Sequence, residues 1–258
     1  ENGATPLYIA CQNGHVDAAR LLLDEGAEVD RAKENGATPL YIACQNGHVD
    51  AARLLLDNGA EVDRAKENGA TPLFIACQKG HIDAARLLVD KGAEVDRAHE
   101  NGQTPLSTAC YNGHVDAARL MLDKGAEVDR AEKKGATPLF IACYKGHVDA
   151  ALLMLDKGAD VNRAMEDGET PLHVACSNGH VDVVRLLLER GGENRADKRG
   201  RTPLDKAKRR RNDAVVELLE DHLYPLLAAS KAGDVDAMTQ LLDGGAAVDQ
   251  TNGDGATP

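Results

Sequence analysis

No apolar run in this sequence approaches the ~18–20 residues that a membrane-crossing helix needs, so no helical span is expected. The start lacks the basic and apolar regions of a secretory signal, and no Asn-x-Ser/Thr glycosylation acceptor occurs. Positive charge is scarce: 30 Lys and Arg against 42 Asp and Glu leave a formal net charge of −12 and a pI near 5.2. That balance excludes nonspecific binding of nucleic acid or anionic membrane by most of the surface. The sequence also has no Gly-x4-Gly-Lys-Ser/Thr, no His-Glu-x2-His and no Gly-x-Ser-x-Gly, so the phosphate-cradling, zinc-protease and serine-hydrolase signatures are missing. The expectation is a noncatalytic intracellular protein, cytoplasmic or nuclear, with no cofactor or small-molecule substrate.

What is present is repetition. The threonine of a Thr-Pro-Leu triplet falls at Thr5, Thr38, Thr71, Thr104, Thr137 and Thr170, 33 residues apart each time, and a fixed period in that range signals a solenoid. Within one unit, Asn35-Gly36-Ala37 supplies the positive backbone φ of a tight hairpin tip. Thr38 can cap a helix with its hydroxyl, and Pro39 suits the first helical position, where a missing N–H costs nothing. A helix from Leu40 to about Asn46 follows. Gly47 ends it, and His48-Val49-Asp50 opens a second, from Val49 to Leu56, with Asp50 at the positive end of its dipole. Gly59 supplies the left-handed stop, and Ala60-Glu61-Val62-Asp63 leads into the next finger. Neither helix can bury its apolar face alone, so Leu40, Ile42, Val49, Leu54, Leu55 and Val62 need neighbouring repeats as partners.

Through Gly-x-Thr-Pro-Leu, x-Ala-Cys-x-x-Gly-His and Leu-Leu-Leu-Asp-x-Gly-Ala-x-Val, the unit closely resembles the ankyrin repeat, over essentially the whole chain. The resemblance implies an all-α repeat solenoid of stacked helix-turn-helix units with projecting β-hairpin fingers. It also implies a noncatalytic scaffold, monomeric, that binds another protein on a concave face made of finger tips and one side of the first helices. Carried over by position, the partner-binding candidates are Tyr41 and Gln45; Phe74, Gln78 and Lys79; Gln103, Tyr111 and Asn112; and Lys133, Phe140, Tyr144 and Lys145. Polar residues with interleaved aromatics suit an interface. Two readings of the ring at Tyr41, Phe74 and Phe140 stand open, contact with a partner or packing beneath the neighbouring finger. Tyr111 and Tyr144 replace the glutamines of earlier repeats and are the better contact candidates. The first three repeats are nearly identical, which also fits a recently duplicated or consensus-like array acting as a spacer in a larger protein.

All six cysteines, Cys11, Cys44, Cys77, Cys110, Cys143 and Cys176, occupy one repeat position. Stacked helices sit ~8–10 Å apart and a disulfide needs α-carbons within ~7 Å, so reduced, buried thiols are expected. Each cysteine lies four residues before a histidine, but zinc wants four close ligands and each repeat offers two, split by a glycine. No metal role is expected.

After Leu188 the pattern loses its finger valine, and Thr202 comes 32 residues after Thr170. The array is expected to span 1–222 and end in a cap-like repeat at about 191–222, where Lys206, Lys208 and Glu220 replace apolar or small residues and should meet water. Lys198, Arg199, Arg201, Lys208, Arg209, Arg210 and Arg211 form a candidate basic patch. It is read as the solvated face of a capping helix, with a nuclear-import signal or phosphate site as alternatives, and nucleic acid is not an expected partner. Tyr224-Pro225-Leu226 resumes the repeat with a whole finger omitted, so 223–258 reads as a further repeat that continues the stack or begins a second array. Asn252-Gly253-Asp254-Gly255 reads as a hairpin tip. The chain itself is expected to be a piece of a longer array, because Leu7, Ile9, Val16 and Leu22 in the first repeat are as apolar as their internal counterparts.

Overall fold

Each Thr-Pro-Leu triplet starts a helix for a reason visible in its atoms. Thr38 stands just outside the helix in extended conformation, its Oγ1 accepts the N–H of Tyr41 at 3.1 Å, and Pro39 takes the first helical position. The same cap recurs at Thr5, Thr71, Thr104, Thr137 and Thr202. At the other end Gly47 adopts φ 74°, the left-handed conformation that lets the chain reverse. Glycine is required there twice over, since a β-carbon would sit 2.8 Å from Nδ1 of His81 in the next repeat.

The structure, a computed structural model, describes residues 3–248, with sixteen helices and no strand among them. The chain divides into two compact units, residues 1–160 and 161–258. The first holds five helix pairs: α1 (Pro6–Gln12) and α2 (Val16–Asp24), α3 (Pro39–Asn46) and α4 (Val49–Asp57), α5 (Pro72–Lys79) and α6 (Ile82–Asp90), α7 (Pro105–Asn112) and α8 (Val115–Asp123), α9 (Pro138–Lys145) and α10 (Val148–Asp156). First helices stack on first helices and second on second throughout this unit. The leucine of every triplet, Leu7, Leu40, Leu73, Leu106 and Leu139, is fully buried. Ile42, Leu54 and Leu55 join it, whereas Val49 and Val62 are only half-buried.

Between repeats, side chains hold main chain. His48 Nε2 lies 3.1 Å from the carbonyl oxygen of Gln12, and His81 Nε2 lies 3.2 Å from that of Gln45. Asp30 Oδ2 accepts the N–H of Glu61 at 2.9 Å, a bond repeated from Asp63 to Glu94 and from Asp96 to Glu127. The histidines beside the cysteines are thus used to join repeats, and no cluster of three or more ligating side chains occurs among the described residues. The cysteines are free and buried. Burial pushes the thiols of Cys11 and Cys110 up to about 12, so they are protonated and inert at neutral pH.

The fingers differ from a two-stranded hairpin. Each is a tight turn in which the Lys33 N–H bonds the Ala37 carbonyl at 2.9 Å and the Gly36 N–H returns to the Lys33 carbonyl. One bond links successive tips, as from the Glu67 N–H to the Asn35 carbonyl at 3.3 Å. Five residues are too few for a ladder.

The second unit contains α11 (Pro171–Asn178), α12 (Val181–Glu189), α13 (Pro203–Arg210), α14 (Asp213–Leu223), α15 (Pro225–Ala232) and α16 (Val235–Asp243). Only Tyr224 separates α14 from α15, and no finger lies between them. The hairpin tip expected at Asn252–Gly255 lies outside the described residues. Lys206 corrects an expectation: it is buried instead of wet, with its ammonium against Glu169 and 3.6 Å from Asp197. Lys208 and Glu220 likewise spend their charges on each other at 2.9 Å.

Leu87 on α6 and Leu21 on α2 occupy the same repeat position, yet Leu87 is 6% exposed and Leu21 62%. Leu87→Ala should cost about 2–5 kcal/mol and Leu21→Ala less than about 1 kcal/mol, measured by denaturant unfolding of the full chain. Equal losses would show that the face between repeats is not what stabilises these helices.

Candidate functional site

The first helices of residues 1–160 end in short polar or aromatic positions that face away from the stack. Gln45 and Gln78 are half-buried there, and Lys79 is exposed. Asn112 is exposed but turned back on its own helix, where its side chain donates to the Thr108 carbonyl at 2.8 Å. Tyr111 and Tyr144 are 42% and 48% exposed, large aromatic side chains left open at equivalent positions of consecutive repeats. The Lys145 ammonium lies over both rings, 4.0 Å from the centroid of Tyr111 and 5.5 Å from that of Tyr144. Such cation–π contacts contribute about 0.5–1 kcal/mol at exposed sites.

Tyr41, Phe74 and Phe140 are not on this accessible face. All three are buried; what lies over Tyr41 and Phe74 went unread in the sequence. Lys66, which opens the next finger, places its ammonium 5.3 Å from the Tyr41 centroid, as Lys33 does 5.2 Å from that of Tyr8. His99 stacks on Phe74 at 5.3 Å with an interplanar angle of 25°. The covering residue changes with the ring it covers, a pairing visible in the sequence only when each helix is read against the finger that follows it.

Where Ser107 replaces the ring, the cover becomes Glu132. Ser107 turns its hydroxyl to the cap, accepting the Thr104 N–H at 2.9 Å while its own N–H returns to Thr104 Oγ1 at 3.2 Å. Glu132 is half-buried in the vacated space, and its Oε1 is buried with no hydrogen-bond partner. Burial raises its pKa, opposed in part by hydrogen bonds from Ser107 and Gln103. Gln103 itself is half-buried, and its carbonyl accepts the His99 N–H at 2.7 Å. Lys133, at the tip, is exposed.

The candidate basic patch lies in the second unit and does not act as one group. Arg201 is bound to Asp197 through both Nε (3.0 Å) and Nη2 (2.8 Å), and Lys208 is paired with Glu220. Burial opposes the Asp197 charge most strongly, but the backbone N–H and guanidinium of Arg201, with the N–H of Arg199, together hold its carboxyl well below the usual range. Lys198 and Arg199 remain exposed on a finger, and Arg209, Arg210 and Arg211 at the carboxyl end of α13. Nearby, His173 is buried, with Nδ1 accepting the Thr170 N–H at 3.1 Å and Nε2 3.0 Å from the Arg201 carbonyl. Burial lowers its pKa and keeps it neutral. Between α13 and α14 Asn212 stands where earlier repeats have histidine, donating to the carbonyls of Cys176 and Ser177 at 2.8 and 3.1 Å.

Stacked helix pairs, each held to the next by side chains bonded to main chain, define a repeat solenoid. The family model for ankyrin repeats (3 copies) matches residues 1–66, 30–99, 59–132, 96–165 and 162–225, and the chain belongs to the ankyrin-repeat family, a general protein-interaction module that is typically noncatalytic. No curated protein matches the sequence. Among solved structures, the human ASB11 ankyrin repeat domain is similar at 31% identity and a TM-score of 0.76, covering 83% of this chain and 97% of that one. The ankyrin repeat domain of Bcl-3, described as a unique member of the IkappaB protein family, is similar at 29% identity and a TM-score of 0.73, covering 85% of this chain and 100% of that one.

Folding raises the Glu132 pKa, so the protonated form stabilises the fold below the unfolded value and that stability is lost as pH rises through the folded one. Glu132→Gln should therefore raise the thermal midpoint at pH 7 and leave it unchanged at about pH 3.5, below the ordinary Glu value of ~4.3. Melting curves at the two pH values decide it; a lower midpoint at pH 7 would mean that the carboxylate is favourably held.

Proposed function

We propose that the chain is a noncatalytic scaffold that holds a protein partner on the face made by first-helix ends and finger tips in residues 1–160. The array would end in the cap-like repeat at 191–222, with 223–258 as a further repeat. The observation that carries this reading is the pair Tyr111 and Tyr144, aromatic side chains kept in water at equivalent positions of adjacent repeats. Exposed rings cost solvation free energy unless something covers them, and aromatic anchors dominate binding at most interfaces. Reduced, protonated thiols and the absence, among the described residues, of any helix long and apolar enough to cross a membrane accord with an intracellular role.

The test compares the intact chain with the Tyr111→Ala/Tyr144→Ala variant in affinity capture from a lysate of the source organism. A partner enriched by the intact chain should be weakened by about 2–4 kcal/mol in the variant, while thermal stability changes by less than about 1 kcal/mol. Arg209, Arg210 and Arg211→Glu should leave that partner bound. Equal loss of fold and binding, or loss of binding in the arginine variant alone, would overturn the assignment. If nothing is enriched, the spacer reading takes its place.

A further inference from the structure

One stretch of this face differs from the rest by charge and backbone conformation. At the tips of the three preceding fingers, glutamate is followed by asparagine: Glu34-Asn35, Glu67-Asn68 and Glu100-Asn101. Each asparagine Oδ1 accepts the N–H two residues on, at 3.1, 3.2 and 3.0 Å, which holds the turn. In the next finger the pair is Lys133-Lys134. Lysine cannot accept that bond, and Lys134 instead adopts φ 77°, one of two non-glycine residues in the left-handed region among those described. That conformation costs on the order of 1 kcal/mol, and strain of this kind concentrates where function uses the residue. The same repeat carries Lys145 and Tyr144, beside Tyr111. The helix that carries Tyr144 and Lys145, α9, has 8 residues, about 12 Å at 1.5 Å per residue.

Building on the interaction face proposed above, we infer that Tyr111, Tyr144, Lys145, Lys133 and Lys134 dock a short acidic segment of a protein partner. An apolar or aromatic side chain packs on the exposed tyrosine rings while carboxylates meet Lys145 at the end of α9 and Lys133 and Lys134 on the finger before it. The charge argument is local complementarity: Lys133, Lys134 and Lys145 share one finger and first helix in a chain whose formal charge is −12. An extended chain advances ~3.3–3.6 Å per residue, so about four residues span α9 and a few more reach the finger. Glu34, Glu67 and Glu100 on the earlier tips would repel a longer acidic run and would repel a nucleic-acid strand, whose phosphates continue in both directions.

The experiment selects binders to the full chain from a displayed random peptide library. The recovered peptides are then measured against Lys133→Glu/Lys134→Glu, Lys134→Asn and Tyr111→Ala/Tyr144→Ala. Expected are peptides with Asp and Glu clustered beside an apolar or aromatic residue. They should bind at least about tenfold more weakly to the double-Glu and double-Ala variants and weaken as salt rises. Lys134→Asn should separate the two properties, raising the melting temperature while weakening these peptides. Non-acidic peptides that still need Tyr111 and Tyr144 would sink the acidic inference and leave the face standing; peptides indifferent to both tyrosines would sink both. Recovery of no binder, or tighter binding of a single-stranded oligouridylate with the same lysine dependence, would also overturn the inference.

Discussion

Side chains of one repeat recognising the main chain of the next is the interaction on which this structure rests. A histidine ring meets a carbonyl, an aspartate receives an amide, and a finger tip bonds the tip before it. Helices of 7 to 9 residues in the first unit fall short of the ~12–15 that an isolated helix needs in water. They exist because each pair buries its leucines against its neighbours. Folding free energy therefore resides at the contacts between units, as in other arrays whose stability is a sum of nearest-neighbour terms. Those contacts use the backbone of the helix ends and finger tips, so side chains such as Tyr111, Tyr144 and Lys133 can vary there without breaking them.

The parts of this arrangement that depend on short-range rules were legible in the sequence. Period, Thr caps, Pro at the first turn, left-handed glycines and the buried cysteine row all follow from residue type and spacing within one unit. What remained illegible crosses from one unit to the next. Tyr41 and Phe74 could be read as contact or core from their own helix alone; the answer lay in Lys66 and His99, which cover them from the following finger. Lys206 looked like a residue for water because its apolar predecessors were absent, yet its acidic partners Glu169 and Asp197 come from other segments. Of the candidate face, Tyr111, Tyr144 and Lys145 were picked out, but not the placement of the Lys145 ammonium over both rings.

Charge is used in two ways. Lys91–Asp57, Lys124–Asp90 and Lys157–Asp123 form a ladder at 2.8 to 2.9 Å between second helices. These pairs are substantially exposed, and pairs of that kind contribute little to stability. The cluster of Lys206, Glu169, Asp197 and Arg201 is largely withdrawn from water. A buried pair is weakly stabilising as a whole but costly to break from one side. It fixes which finger sits over which helix more firmly than it raises the melting point.

Recognition through backbone has a consequence for the history of the chain. A unit that fits any neighbour of like backbone needs little compensating change when it is copied beyond the residue that covers the preceding ring, so whole units can be added or deleted with most contacts between repeats kept. The near-identical opening repeats and the edited later ones then read as different ages of the same process. On that reading length comes by duplication, and differences such as Lys134 against Asn35, Asn68 and Asn101 accumulate afterwards.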